Sequence, residues 1–150
     1  FVGRGLYLET LVGESVRVHV CVDTSSSVNP DHLRAFGGEL QAILHAYPHL
    51  RCELYYADAK VYGPYALTAD SPLPPPVGGG GTDFRPFFQQ VEAAQDGWTP
   101  TLAIYLTDGF GNFPAAAPNF PVLWVVTPGG ARLEAFPFGE AVRLLLGGGD

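Results

Sequence analysis

The stretch SVRVHVCVDTSSSVNP, residues 15–30, decides the fold. Valine recurs at every second position from Val16 to Val22, the period of a pleated strand, so one strand face is committed to a core. The other face carries Arg17, His19 and Cys21, and its burial is left open. After Asp23 comes a polar run, Thr24 to Ser27, and then Asn29-Pro30: a side chain able to cap a helix, followed by the fixed φ that suits a first helical residue. Strand, polar loop and capped helix in that order are the opening of a βαβ unit.

Outward from this start the pattern continues. Leu33, Phe36, Leu40, Ile43, Leu44 and Tyr47 recur at spacings of three and four, predicting an amphipathic helix that Pro48 stops. A strand is expected over Leu50 to Ala57 and another over Lys60 to Leu67, joined by a hairpin turn at Asp58-Ala59. SPLPPPVGGGG, residues 71–81, excludes regular structure. Asp83 reads as the cap of a second helix ending near Ala94. TLAIYLT, residues 101–107, and PVLWVV, residues 121–126, are apolar enough for strands covered on both faces. Upstream, GLYLET, ending near Thr10, can pair with the valine strand through a turn around Gly13. The order predicts an α/β fold of three layers, a doubly wound, Rossmann-like and mostly parallel sheet with an antiparallel edge strand. Gly109 to Asn119, broken by Pro114 and Pro118, is too short for a covering helix, so one sheet face is expected to be thinly covered.

Length and composition bound the function. With 150 residues the chain fits one domain, spanning 1–150, and 47% hydrophobic against 15% charged residues excludes a disordered chain. A net charge of -7 opposes broad contact with nucleic acid or anionic lipid. No apolar run approaches the roughly 20 residues of a membrane helix, and the first residues do not read as a signal peptide. A cytoplasmic location with buried free thiols at Cys21 and Cys52 is the resulting expectation. The chain has no methionine and starts at Phe1, as expected of the C-terminal part of a longer protein.

Ligands of parallel sheets gather at the carboxyl ends of the strands. Three polar clusters fall there: Asp23 to Ser27, Thr82-Asp83 after the glycine run, and Thr107-Asp108-Gly109. Asp23 and Asp108 supply carboxylates, while Ser25, Ser27 and Thr82 supply neutral hydroxyls. Hard oxygen donors of this kind suit Mg²⁺, with Mn²⁺ or Ca²⁺ as competitors, and disfavour zinc or copper. Two carboxylates neutralise a divalent cation without blunting its attraction for one further anionic oxygen, and a partner's Asp or Glu side chain is the natural source.

D-x-S-x-S after a hydrophobic strand, a later threonine behind a glycine run, and T-D-G after another hydrophobic strand resemble the metal-ion-dependent adhesion site of von Willebrand factor type A domains. The five matching positions are Asp23, Ser25, Ser27, Thr82 and Asp108. LRAFGGELQAIL, YYADAKVY, GGGGTDFRPFF, YLTDGFGNFP, APNFPVLWVV and FPFGEAVRL are similar to a bacterial subfamily in which this domain follows a predicted metallopeptidase domain. The resemblance, from about Val16 onward, implies a doubly wound fold, divalent-metal binding and protein-protein interaction. More loosely it implies cooperation with an AAA-type ATPase and with an N-terminal domain of the same chain. A His-Glu-x-x-His zinc helix is absent from these residues, so peptidase activity is not carried over to them. One departure is Ser26, where the family usually has glycine; if the position needs a positive φ, serine is strained there by about 1 kcal/mol or more.

Simpler readings stand beside these. Asp23 to Ser27 and Asp108-Gly109, taken singly, are turn signals. Asp83 is a helix cap, and Asp58 a hairpin residue. The glycines at 78–81 lack the lysine of a phosphate-binding loop. His45 and His49 share the spacing of zinc ligands, but Pro48 interrupts their helix. His19 and His32 have no evident catalytic partner, and Trp98 and Trp124 read as core or loop anchors. The competing function is a Mg²⁺-dependent phosphohydrolase with Asp23 as nucleophile. Haloacid-dehalogenase-like enzymes of that type place an acidic residue two positions later, where this chain has Ser25.

Overall fold

A computed structural model describes residues 16–25 and 29–146. The chain forms strand β1 (Arg17–Asp23), helix α1 (Pro30–Ala46), strands β2 (Arg51–Ala57) and β3 (Val61–Leu67), helix α2 (Arg85–Ala94), strands β4 (Thr101–Thr107) and β5 (Val122–Val126), a 3₁₀ turn (Leu133–Ala135) and strand β6 (Glu140–Arg143). These strands make one sheet in the order β3-β2-β1-β4-β5-β6, with β3 antiparallel to β2 and every other pairing parallel. The expected mixed sheet with its antiparallel edge is therefore what the residues build. GLYLET lies outside the described residues.

The local rules that set the first unit hold. Asn29 Oδ1 accepts the backbone N–H groups of Asp31 at 2.8 Å and His32 at 3.3 Å, and Pro30 opens α1. Phe36, Leu40, Ile43 and Leu44 are buried in one cluster with Val18, Val20 and Val22 of β1 and Leu54 of β2. Each such side chain contributes about 1.5–3 kcal/mol through burial. At α2 the cap differs from expectation. The residue before the helix is Phe84, whose side chain makes no capping bond, and Asp83 stands one position earlier, accepting the Arg85 N–H at 3.0 Å while pairing with its guanidinium. Proline at the second position of α2 removes one donor that a cap would otherwise have to satisfy.

The second sheet face departs from expectation. Its cover is not thin: Phe84, Phe87, Phe88 and Val91 pack with Cys21, Tyr55, Tyr105 and Trp124, and Phe113, Phe120, Phe136 and Phe138 close the rest from loops. Rings from loops complete the cover that α2 begins, because each buried aromatic side chain removes about 150–250 Å² from water. His19 and Cys21 are consequently buried along with the valines, so β1 is covered on both faces. Trp124 is a core anchor, its Nε1–H donating to the Phe138 carbonyl at 3.0 Å, whereas Trp98 is 89% exposed. Both cysteines are buried free thiols.

β1 lies between β2 and β4, and the chain leaves these strands toward opposite sheet edges. This is the topological switch point at which doubly wound sheets open a crevice above their strand ends. Asp23 ends β1 and Asp108 follows β4, so the fold delivers both carboxylates to that crevice. Among the described residues no helix is long and apolar enough to cross a membrane.

Candidate metal centre

Val22 of β1 pairs with Leu106 of β4, which sets Asp23 and Thr107 side by side at the next position. The Thr107 hydroxyl donates to Asp23 Oδ2 at 2.6 Å and accepts the Gly109 N–H at 3.1 Å. Asp23 Oδ1 accepts the Ser25 hydroxyl at 2.6 Å and the Ser25 N–H at 2.9 Å. Both carboxylate oxygens are thereby aimed by short bonds, and each donating hydroxyl keeps at least one lone pair for a further contact. Asp108 is exposed, its Oδ1 accepting the Phe110 N–H at 3.0 Å while its carbonyl takes the Ala131 N–H at 2.7 Å. Gly109 turns the chain at φ +87°, and a Cβ there would lie 2.7 Å from the Phe136 ring.

Between these residues is a hollow of about 200 Å³ whose lining includes Asp23, Ser25, Asn29, His32, Asp108 and Thr127. Burial pushes the Asp23 carboxyl above its ordinary value, the bonds from Ser25 and Thr107 work against that, and the neighbouring Asp108 charge adds to it. Among the described residues neither Asp23 nor Asp108 is in an ion pair. Two carboxylates facing one hollow, unpaired by any cationic side chain among the described residues, is an arrangement a cation would relieve. Apart from the His32 imidazole the polar side chains named in the lining offer oxygen, in keeping with a hard ion. No group of three or more His, Cys, Asp or Glu that could hold a metal occurs among the described residues, which leaves hydroxyls to complete any cation's shell.

Of the five positions read from the sequence, the hollow brings together Asp23, Ser25 and Asp108. Ser27, like Ser26, lies outside the described residues. Thr82 is half-buried beside the loop that follows Asp108: a Cβ on Gly111 would touch its methyl at 2.6 Å, and the next residue, Asp83, bridges to Asn112. Thr82 is not in the lining of the hollow. Thr107 was read as a member of the third polar cluster but not as the partner of Asp23, Asn29 was read only as a helix cap, and His32 was given no role at this site. Thr107 was legible in principle, because two parallel strands ending together place their last residues in contact. His32 required knowing that the first turn of α1 overhangs β1. His45 and His49, with zinc-like spacing, are both exposed, and His45 faces Asp70 at 3.6 Å.

Known structures share this architecture at low identity. The ArnB paralog VWA2 from Sulfolobus acidocaldarius superposes with a TM-score of 0.61 at 14% identity over 76% of this chain and 35% of its own. BatB from Bacteroides thetaiotaomicron gives 0.57 at 17% identity, covering 75% of this chain and 66% of BatB. Proximal thread matrix protein 1 from the mussel byssus gives 0.56 at 14%, covering 78% and 37%. The chain thus spans about a third of the Sulfolobus protein. No curated protein sequence matches it. The sequence model of one family, described as "VWA-like domain (DUF2201)", matches residues 18–145. With that match across nearly the whole described sheet and its two helices, the chain belongs to the VWA-like domain (DUF2201) family.

Proposed function

We propose that this domain is a divalent-metal-dependent protein interaction module, with Asp23, Ser25, Ser27, Thr82 and Asp108 as the metal's protein ligands and Mg²⁺ as the ion that fits best, ahead of Mn²⁺ and Ca²⁺. The observation carrying this reading is that Asp23 and Asp108 share one hollow with no cationic side chain paired to either among the described residues. When bound, the ion supplies a positive centre able to take one more anionic oxygen, and an Asp or Glu of a protein partner is the ligand that chemistry selects. The chain's own part is geometric. Ser25 and Thr107 hold the Asp23 carboxylate in place, and the turn at Gly109 with the Ala131 N–H holds Asp108 at the rim. The partner is proposed to be an AAA-type ATPase or another domain of the same protein, and the site of action to be the cytoplasm.

No catalytic role is proposed for this domain. Asp23 accepts three hydrogen bonds and is held by them, which supports a ligand rather than a nucleophile. Turnover of p-nitrophenyl phosphate with Mg²⁺ that disappears in Asp23→Asn would install the phosphohydrolase instead. The interaction itself is tested by capturing the partner with the wild-type chain in Mg²⁺ and in EDTA. Capture is expected only in Mg²⁺ and is expected to vanish in Asp108→Ala and Ser25→Ala while circular dichroism stays native; capture that survives in both variants overturns the reading.

A further inference from the structure

Asp58 has a larger part than its hairpin. It opens the turn after β2, and Lys60 N–H donates to its Oδ1 at 2.9 Å, as a hairpin residue requires. Its other oxygen, Oδ2, accepts the Gly80 N–H at 3.0 Å across 22 residues of chain. The Asp58 backbone carbonyl accepts the Asp83 N–H at 3.2 Å. One residue therefore grips the loop on either side of Thr82, at Gly80 two positions before it and at Asp83 one position after it. The residue is only 7% exposed. Burial pushes its carboxyl up, but the N–H donors of Lys60 and Gly80 outweigh that and hold it below the ordinary value, so it stays ionised and accepting.

A second tie lies beside it. Thr24 donates from Oγ1 to the Val77 carbonyl at 2.6 Å, and its own N–H reaches the Ala57 carbonyl at 2.7 Å, next to Asp58. The loop has glycine where it meets these anchors: a Cβ on Gly78 would fall 2.2 Å from Thr24 Oγ1, and one on Gly80 would fall 3.0 Å from Asp58 Oδ2. Such close approach accounts for Gly78 and Gly80, and a φ of +120° for Gly79. A proline- and glycine-rich loop has no regular structure of its own to place Thr82, so its position is set by the strand ends it is tied to.

We infer that Asp58 is a positioning residue for the metal centre, a latch from the end of β2 that fixes Thr82 relative to Asp23 and Asp108. This rests on the metal reading proposed above. Asp58→Asn keeps one carbonyl acceptor for the local turn and turns an amide N–H₂ toward the Gly80 N–H, donor against donor. Gly80→Ala attacks the same contact from the exposed side of the loop and leaves the hairpin bonds alone, so it keeps the test open where Asp58→Asn fails to fold.

The experiment pairs hydrogen exchange at the amides of residues 78–83 with Mn²⁺ binding followed by electron paramagnetic resonance. In both variants faster exchange at the residue-80 amide, relative to its intrinsic rate, and about 10–100-fold weaker Mn²⁺ binding are expected, the range seen when residues that orient metal ligands are removed. In a Thr82→Ala background the same substitutions should leave Mn²⁺ affinity unchanged, since the residue they position is gone. Unchanged exchange at the residue-80 amide overturns the latch. Faster exchange with wild-type Mn²⁺ affinity, or an undiminished effect in Thr82→Ala, overturns the positioning role. Absence of Mn²⁺ binding by the wild-type chain overturns the metal reading itself, and with it this one.

Discussion

Thr107→Val exchanges one hydroxyl for a methyl of nearly the same size, at a side chain that is 1% exposed. Two bonds go with the hydroxyl. The first, to Asp23 Oδ2 at 2.6 Å, is charge-assisted, and such bonds contribute about 1.5–3 kcal/mol. Water reaches partly buried Asp23 and replaces some of that, so the lower end, about 1.5 kcal/mol, applies. The second bond satisfies the Gly109 N–H at 3.1 Å, in a residue that is buried; an unsatisfied buried donor costs about 1–3 kcal/mol. Together they give about 3 kcal/mol, within the typical 5–15 kcal/mol stability of a domain, so the variant folds. At about 2–4 °C per kcal/mol for a chain of this length the melting temperature drops by about 6–12 °C. Urea unfolding of wild type, Thr107→Val and Thr107→Ser measures it: serine keeps the hydroxyl and recovers most of the loss. A valine variant within about 1 kcal/mol of wild type, or a serine variant as weak as valine, refutes the claim that Thr107 holds Asp23.

Other consequences can be measured separately. His19 is buried with Nδ1 at 3.1 Å from the Tyr55 hydroxyl; burial first, then the Arg17 charge, lower its pKa below 6.5, against a raising effect from Glu53. The unfolded chain therefore binds that proton more tightly, so this contribution is whole above about pH 6.5 and is lost as pH falls through the folded value. The urea midpoint of wild type should fall more steeply from pH 7.5 to 5 than that of His19→Asn; parallel curves contradict the neutral buried ring. Gly109→Ala and Gly97→Ala both place alanine at positive φ, +87° and +83°, costing about 1–2 kcal/mol. Only Gly109 has neighbours in the way, Phe136 Cζ at 2.7 Å and Ala131 Cβ at 2.8 Å, so overpacking adds about 1–3 kcal/mol there. Equal melting temperatures for the two variants contradict the packing described at the Gly109 turn.

The fold was legible wherever period and punctuation agreed. Alternating valines gave β1, Asn29-Pro30 gave the start of α1, and the unbroken apolar runs gave β4 and β5. β6 was not read as a strand, because Glu140–Arg143 has four residues, two of them charged, and no turn signal stronger than Gly139. The aromatic cover of the second face was missed for a related reason: Phe113, Phe136 and Phe138 sit in loops without period, and only the tertiary fold brings them onto Trp124. At the site, Asp23, Ser25 and Asp108 could be placed from strand ends alone. Thr107 follows from the same rule, as the last residue of a strand ending beside β1, whereas Asp58 does not, since its bond to Gly80 spans 22 positions with no local pattern to signal it.

Calorimetric titration of Mg²⁺ into the chain, at protein concentrations suited to millimolar affinity, addresses the central claim most directly. One ion per chain for wild type, and no saturable binding for Asp108→Asn at unchanged circular dichroism, is the predicted result. No heat for wild type, or the same isotherm for Asp108→Asn, contradicts a metal centre built on Asp23 and Asp108.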